Sequence, residues 1–263
     1  RFHSGDKDQS AFLDVDIARL KWGHNVAIGE NKSLRYKAAL SRFVERHASH
    51  EISSVAFLDW ANASASEGNF AEAHRIATRG REAFPDSFGG RRCEFLIGLI
   101  EAKSAQIATE RVWAGGDTKI TMTYRNVAKV WFRAVPQEWT PRNTDNNRGD
   151  NDQNARLLKI APALEWAADL PPTADFKERS EELTAPQTLR PGYYTIIASD
   201  GPNFVKKSNI IAATDIWVSN LALITRERGA QMECLVVDSL SGEPVAGADV
   251  RLWRFDQQNR PIE

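Results

Sequence analysis

"TKITMTYRNVAKVWFRAV", residues 118–135, is the stretch that decides the fold. Ile120, Met122 and Tyr124 alternate with Thr121, Thr123 and Arg125. That is the period of a half-buried β-strand, with one face apolar and one polar. After an Arg125-Asn126-Val127 turn, Ala128, Val130 and Phe132 resume the alternation. From about residue 11 to 104, before this stretch, apolar residues recur every three to four positions; past residue 106 they recur every two. The chain therefore changes architecture once, helices first and sheets second, and is not an alternating α/β fold.

Working back from the switch, five helical segments are expected. "AFLDVDIARLKWGHNVAI" sets Phe12, Val15, Ala18 or Arg19, and Trp22 on one stripe, and "SLRYKAALSRFVERHA" sets Leu34, Ala38, Phe43 and Val44 likewise, with Ser33 as N-cap. "SSVAFLDWANASASEG" and "NFAEAHRIATRGREAFPDS" follow, and "DSFGGRRCEFLIGLIEAK" closes the region with Cys93, Leu96, Ile97 and Ile100 as its buried face. Tyr36 and Phe70 stand 34 apart (70 − 36), as do Ala39 and Ala73 (73 − 39). With Gly68 ahead of the second copy and Pro85 behind it, the pattern resembles the tetratricopeptide repeat. Glu51 stands where the first copy would carry its Pro, and Trp60-Ala61 replaces the usual Leu-Gly. The resemblance implies a short array of helical hairpins, each burying its apolar stripe on the next.

Working forward, "YYTIIAS" (193–199) leads through Asp200-Gly201, a turn dipeptide, into "NIIAATDIWVSN". "LALITRE", "AQMECLVVD" and "ADVRLW" continue the series, separated by Arg228-Gly229 and Ser241-Gly242. Short strands at this spacing argue for antiparallel β-sandwiches of the immunoglobulin or fibronectin-III kind. Leu189-Arg190-Pro191-Gly192-Tyr193-Tyr194 fits the tyrosine-corner pattern of such sandwiches. Pro191 presets the turn, Gly192 is free to take positive φ, and the Tyr194 hydroxyl can bond back to upstream backbone. In "GEPVAGADVRLW", Ala248, Val250 and Leu252 alternate with Asp249 and Arg251 as the opening hairpin of a further sandwich, whose other strands would lie past Glu263. The absence of an initiating Met or a signal peptide in "RFHSGDKDQS" fits the same expectation, a piece of something longer.

Composition excludes several function classes. Hydrophobic residues are 42% and charged residues 26%, with 34 basic and 35 acidic side chains and a formal net charge of −1. No bulk field favours nucleic acid or an anionic membrane, and no apolar run approaches the ~18 residues of a membrane span. Cys93 and Cys234, 141 positions apart (234 − 93), form no C-x-x-C pair, and are read as two buried, inert thiols ahead of a disulfide between domains. His3, His24, His47, His50 and His74 all lie in the helical half; His47 and His50 are three apart, yet without acidic or cysteine partners they read as helix-end surface residues, not metal ligands. The polar stretch "TPRNTDNNRGDNDQNA" (140–155) contains Arg148-Gly149-Asp150, an adhesion tripeptide, but reads as a solvated loop and fails the register of a calcium loop. "EELTAP" and other acidic clusters read as loop or exposed faces. No H-E-x-x-H, G-x-S-x-G or P-loop is present, so no catalytic, cofactor or metal residue is assigned and the chain is not expected to be an enzyme.

Taken in order, these motifs resemble the N-terminal part of bacterial α-2-macroglobulin-family proteins. "NFAEAHRIATRGREAFPDS" is similar to a helical segment preceding the macroglobulin domains, and Tyr124-Arg125-Asn126-Val127 to a signature of the first of those domains. "LEWAADLPPTADFKERSEEL" followed by "LRPGYYTI" resembles the same domain further on. Val236, Asp238, Gly242, Pro244, Val245, Gly247, Ala248 and Val250 match the opening of the second domain. The resemblance implies helical hairpins over residues 1–105, a macroglobulin-like sandwich over 106–220, and the truncated start of a second over 221–263. It implies a large periplasmic or cell-surface protein that traps proteases. In the family, a bait region is cut, and in members with a Cys–Gln thioester that bond captures the attacker. Here Cys93 is followed by Glu-Phe-Leu and Cys234 by Leu-Val-Val, neither of which fits, and no bait region is recognisable. This part would supply scaffold, with proteases as partners only through the whole protein. The alternative is a cell-envelope module that binds a protein or glycan, which exposed aromatic patches at Trp22, Trp60 or Trp113 would favour.

Overall fold

The computed structural model describes residues 7–116, 118–139, 156–205, 207–229, 231–256 and 261–262. The chain divides into two compact units, one of Arg1–Ala102 with Thr173–Glu178, the other of Lys103–Pro172 with Arg179–Glu263.

The first unit is helical, with α1 (Ser10–Val26), α2 (Lys32–Arg46), α3 (Ser53–Ser66), α4 (Phe70–Ala83) and α5 (Phe88–Glu101). Gly68, at φ +73°, turns the chain out of α3. The Asn69 side chain then caps α4 by accepting from the Glu72 amide, and Ser87 caps α5 by accepting from the Gly90 amide. α3 and α5 begin and end 35 residues apart (88 − 53 and 101 − 66), whereas the 34-residue repeat of the sequence sets Tyr36, the fifth residue of α2, against Phe70, the first of α4. Close packing comes from small residues. Ala56, Ala61, Ala73 and Ala77 are fully buried beside Leu40, Ile76 and Cys93. A Cβ on Gly80 would lie 2.7 Å from the Phe57 Cβ, and one on Gly89 would lie 2.4 Å from the Ser54 carbonyl carbon. In the segment Thr173–Glu178, the Phe176 ring stacks on His74 with centroids 4.9 Å apart.

Two helix faces differ from the sequence reading. In α1, Leu13 and Ile17 are buried while Phe12, Val15 and Trp22 are exposed. The helix carries two apolar stripes, and the less conspicuous one meets the core. In α2, Tyr36 and Leu40 join Phe43 and Val44 inside, leaving Leu34 and Ala38 exposed. Asn31, not Ser33, is the N-cap, and its side chain makes no capping bond. In α5, Cys93, Ile97 and Ile100 are buried as expected, with Leu96 half-buried.

The second unit is a two-layer sandwich followed by a ribbon. A three-stranded sheet, in the order β1-β3-β6, is built from β1 (Ser104–Thr109), β3 (Lys119–Arg125) and β6 (Arg179–Thr184). The facing sheet, in the order β2-β8-β7-β4-β5, is built from β2 (Val112–Trp113), β4 (Lys129–Gln137), β5 (Leu164–Asp169), β7 (Gly192–Ser199) and β8 (Ile211–Val218). One core fills the space between. Ile120, Met122 and Tyr124 from β3 meet Val130, Phe132 and Ala134 from β4, Tyr194 and Ile196 from β7 and Ile216 from β8. The alternation read from residues 118–135 is therefore the inner face of two strands in opposite layers. Asn126 turns between them at φ +58°, and Val127, not Ala128, takes the buried place after it.

Three expectations are corrected here. The sandwich is not wholly antiparallel: β2 runs parallel to β8, because the first strand crosses from one sheet to the other after Thr109 and enters beside β8 in the same direction. Asp200-Gly201 is not a tight hairpin turn. Ser199 pairs with Ile211, so a loop of residues 200–210 intervenes. Asp200 ties that loop by accepting from the Ile210 amide (2.8 Å) and from the Lys103 ammonium (3.0 Å). That loop's Phe204, with Leu157, covers Val135 and Ile197, so β7 is buried on both faces. Finally, of the loop or exposed face expected for "EELTAP", only the exposed face holds: Glu181 to Thr184 lie in β6, where the exposed Glu182 pairs with Lys119.

After the sandwich, β9 (Leu221–Arg228) and β10 (Gln231–Asp238) form an antiparallel ribbon, turned by Gly229 at φ +61°. Two short strands, β11 (Arg254–Phe255) and β12 (Pro261–Ile262), pair further on. "ADVRLW" is not a strand: Ala248, Val250 and Leu252 are exposed and outside any sheet. Alternation becomes burial only where a second layer faces it, and among the described residues none faces this segment.

Candidate functional site

The tyrosine corner forms as the sequence foretold. The Tyr194 hydroxyl donates to the Arg190 carbonyl at 3.0 Å, pinning the segment that leads into β7. Gly192 does not use positive φ; it is the first residue of β7, and a Cβ there would lie 3.4 Å from the Tyr194 ring. The Tyr124 hydroxyl makes a second tie, donating to the Pro171 carbonyl at 2.9 Å. On the other side of β7, Tyr193 and Thr195 both donate to the Asp215 carboxylate, each at 2.8 Å. These bonds fix three consecutive residues of the strand.

Beside this corner lies a cleft of about 630 Å³, with Leu189 and Pro191 on one wall, Trp113 and Val218 at its base, and Leu240 at its rim. Gly115 and Gly116 turn the chain out of β2 with φ of +61° and +87°. Their carbonyl and amide groups are taken by side chains. Gly115 donates to Asn220 Oδ1 (3.1 Å), and Gln187 Nε2 donates to the Gly116 carbonyl (2.7 Å). Leu240 packs over the bare Gly115, where a Cβ would sit 2.3 Å from its Cδ2. Asp238 holds the turn that carries Leu240, accepting from the Leu240 and Ser241 amides, and those bonds keep its carboxyl below the usual carboxylate range. Among the described residues that line it none is titratable, and Trp113, Leu189, Pro191, Val218 and Leu240 give the cleft an apolar surface. Sequence reading passed over Gly115-Gly116 and Asn220, although a Gly-Gly pair after a short strand is a turn signal in its own right.

The singled-out residues scatter. His24 stacks on Tyr36 at 4.5 Å, His74 pairs with Glu101 at 2.7 Å, and His50 accepts from the Ile52 amide at 3.2 Å. His47 packs against Phe43, and burial with the nearby Arg46 charge moves its imidazole below the ordinary value. Among the described residues no group of three or more His, Cys, Asp or Glu gathers as a metal site would require. His3 and Arg148-Gly149-Asp150 lie outside the described residues. Of the tryptophans named as possible patches, Trp22 is exposed, Trp60 is partly buried and Trp113 is buried.

The cysteines are free, but only Cys93 is buried; Cys234 is exposed on β10, in a ribbon that no second layer covers among the described residues. Burial pushes the Cys93 thiol up to about 12, leaving almost no thiolate, the reactive form, at neutral pH. A disulfide-exchange dye should therefore label one thiol of the native chain quickly and the second only after unfolding. Two fast thiols, or none, would contradict this burial.

No family model matches the sequence, and no curated protein matches it. The fold is similar to a crystal structure of native alpha-2-macroglobulin from Escherichia coli spanning domains NIE-MG1, at 18% identity and a TM-score of 0.36, over 54% of this chain and 73% of that one. It is similar also to one spanning domains MG0-NIE-MG1, at 14% identity and a TM-score of 0.38, over 54% of this chain and 47% of that one. The solved structures that this chain resembles thus include two fragments of a bacterial alpha-2-macroglobulin.

Proposed function

We propose that the chain is a non-catalytic scaffold of a bacterial α-2-macroglobulin-like protein, periplasmic or at the cell surface, whose whole molecule inhibits endopeptidases by trapping them. The observation that carries the reading is a convergence. Tyr124 and Val127, Trp166 and Leu170, and Leu189 and Tyr194 come from the three stretches on which the resemblance to a first macroglobulin domain rests, and they meet in one sandwich core. Residues so spaced along a chain form one cluster when the motifs belong to a single domain. On this reading the helical hairpins of residues 1–105, tetratricopeptide-like repeats, precede it in the sequence, and residues 221–263, the start of a second macroglobulin-like module, follow it. Proteases are partners through the whole protein, and catalysis is assigned to no residue here.

The test is a protection assay with the parent protein. A protease preincubated with it should lose most of its cleavage of a large protein substrate while keeping its cleavage of a small peptide, because trapping excludes by size. Unchanged cleavage of both substrates would refute the proposal. A second reading, a cell-envelope module binding a protein or glycan, draws on the exposed Val15 and Trp22 of α1. Loss of envelope binding on Trp22→Ser, with protease protection intact, would favour it.

A further inference from the structure

Residues 244–253 begin a strand and abandon it. The outer edge of β10 is engaged at one end only. Pro244 bridges Val237, the Val245 amide donates to the Val236 carbonyl at 2.9 Å, and the Asp238 amide donates to the Glu243 carbonyl at 2.9 Å. A turn at Ala246-Gly247, with Gly247 at φ +72°, then takes the chain off that edge. Ala248, Val250 and Leu252 keep the alternation of a strand but lie in no sheet. The next residue, Trp253, is held elsewhere. Its half-buried ring stands edge-on to Trp139 with centroids 5.1 Å apart. Trp139 leans on Trp217 at 5.9 Å, and Trp217 on Tyr193 at 5.0 Å.

We propose that residues 246–253 are a strap with two exclusive positions, clasped on Trp139 or zipped onto β10 as a third strand. The positions exclude each other because they lie at opposite ends of the ribbon. Trp217, in the clasp, stands four residues (221 − 217) before Leu221 at the ribbon's base. A strand continued from Pro244 runs from the base toward the tip and carries Trp253 to Gly229, roughly 25 Å away for strands of this length. Every described residue from Leu223 to Leu235 is exposed, so the tip does not fold back on the sandwich. Zipping asks little of the backbone, since Gly247 keeps its positive φ as the first residue of a bulge. Gly247 and Ala248 then oppose Cys234, Asp249 opposes Glu233, and Val250 covers Met232, now 49% exposed. Asp249 against Glu233 is a like-charge pair, which weakens the third strand and leaves the clasp occupied. Clasped, the strap leaves the edge of β10 open as a template for another strand; zipped, it closes that edge. This device stands apart from the protease-trapping reading and does not depend on it.

Hydrogen exchange of the 263-residue chain, read at the amides of residues 248–252, tests this. In the wild type those amides should exchange as fast as in an unstructured peptide. Trp253→Ala should slow them about tenfold or more, because the freed strap zips. Asp249→Lys, which turns the like-charge pair into an attractive one, should slow them by a smaller factor with Trp253 intact, while Asp249→Glu should not. Adding Val250→Pro to Trp253→Ala should abolish the gain, since proline disrupts a strand ladder. Near-ultraviolet circular dichroism of the sandwich tryptophans checks that each variant keeps its fold. Fast exchange in Trp253→Ala, protection already present in the wild type, or equal effects of Asp249→Lys and Asp249→Glu, would each overturn the proposal.

Discussion

Phe132→Ala is expected to destabilise the sandwich by about 3–5 kcal/mol, enough to unfold much of a domain of ordinary stability. The ring is 1% exposed, stacks on Trp166 with centroids 5.0 Å apart, and lies in the core that both sheets share. Truncation removes transfer energy and leaves a cavity, and β4 cannot move to close it. That strand is held by β5 on one side and β7 on the other. Denaturant unfolding followed by tryptophan fluorescence would report the loss, since Trp113 and Trp166 belong to or pack on the same core. A loss under about 1 kcal/mol would mean that Phe132 is not the central packing residue described here.

Gly89→Ala should destabilise the helical unit by about 3 kcal/mol, at or beyond the upper end for an overpacked core. The added Cβ would fall 2.3 Å from Ser54 Oγ, 2.4 Å from the Ser54 carbonyl carbon and 2.5 Å from the Val55 nitrogen. Two of those atoms are backbone of α3, so no rotamer change relieves the clash and α5 must move off its neighbour. Gly98→Ala on the same helix is the control, because its Cβ meets nothing. It should be neutral or stabilising by up to about 1 kcal/mol. Equal effects at the two positions, followed by circular dichroism, would contradict the close approach of α3 and α5.

These two sites show which parts of the fold are legible in a sequence. Period two at residues 118–135 marks the inner face of β3 and β4 because each strand has one layer to bury against, so alternation and burial coincide. It fails at residues 248–253, where the same alternation has no facing layer, and at β7, where Leu157 and Phe204 bury the second face. Helical spacing found the five helices, yet it misjudged the buried stripe of α1. Phe12, Val15 and Trp22 are larger than Leu13 and Ile17, and size says nothing about which stripe faces a neighbour. The tyrosine corner was legible because its bond is local, from Tyr194 to Arg190. The cleft was not, because Gly115, Gln187, Asn220 and Leu240 come together only once the crossing of the first strand and the ribbon are both in place.

The scaffold reading is tested most directly by setting the 263-residue chain beside its parent protein in one protease assay, with a large protein substrate and a small peptide. The account predicts that the parent protects the large substrate and spares the peptide, and that this chain alone protects neither and cleaves neither. Protection or cleavage by the chain on its own would contradict it.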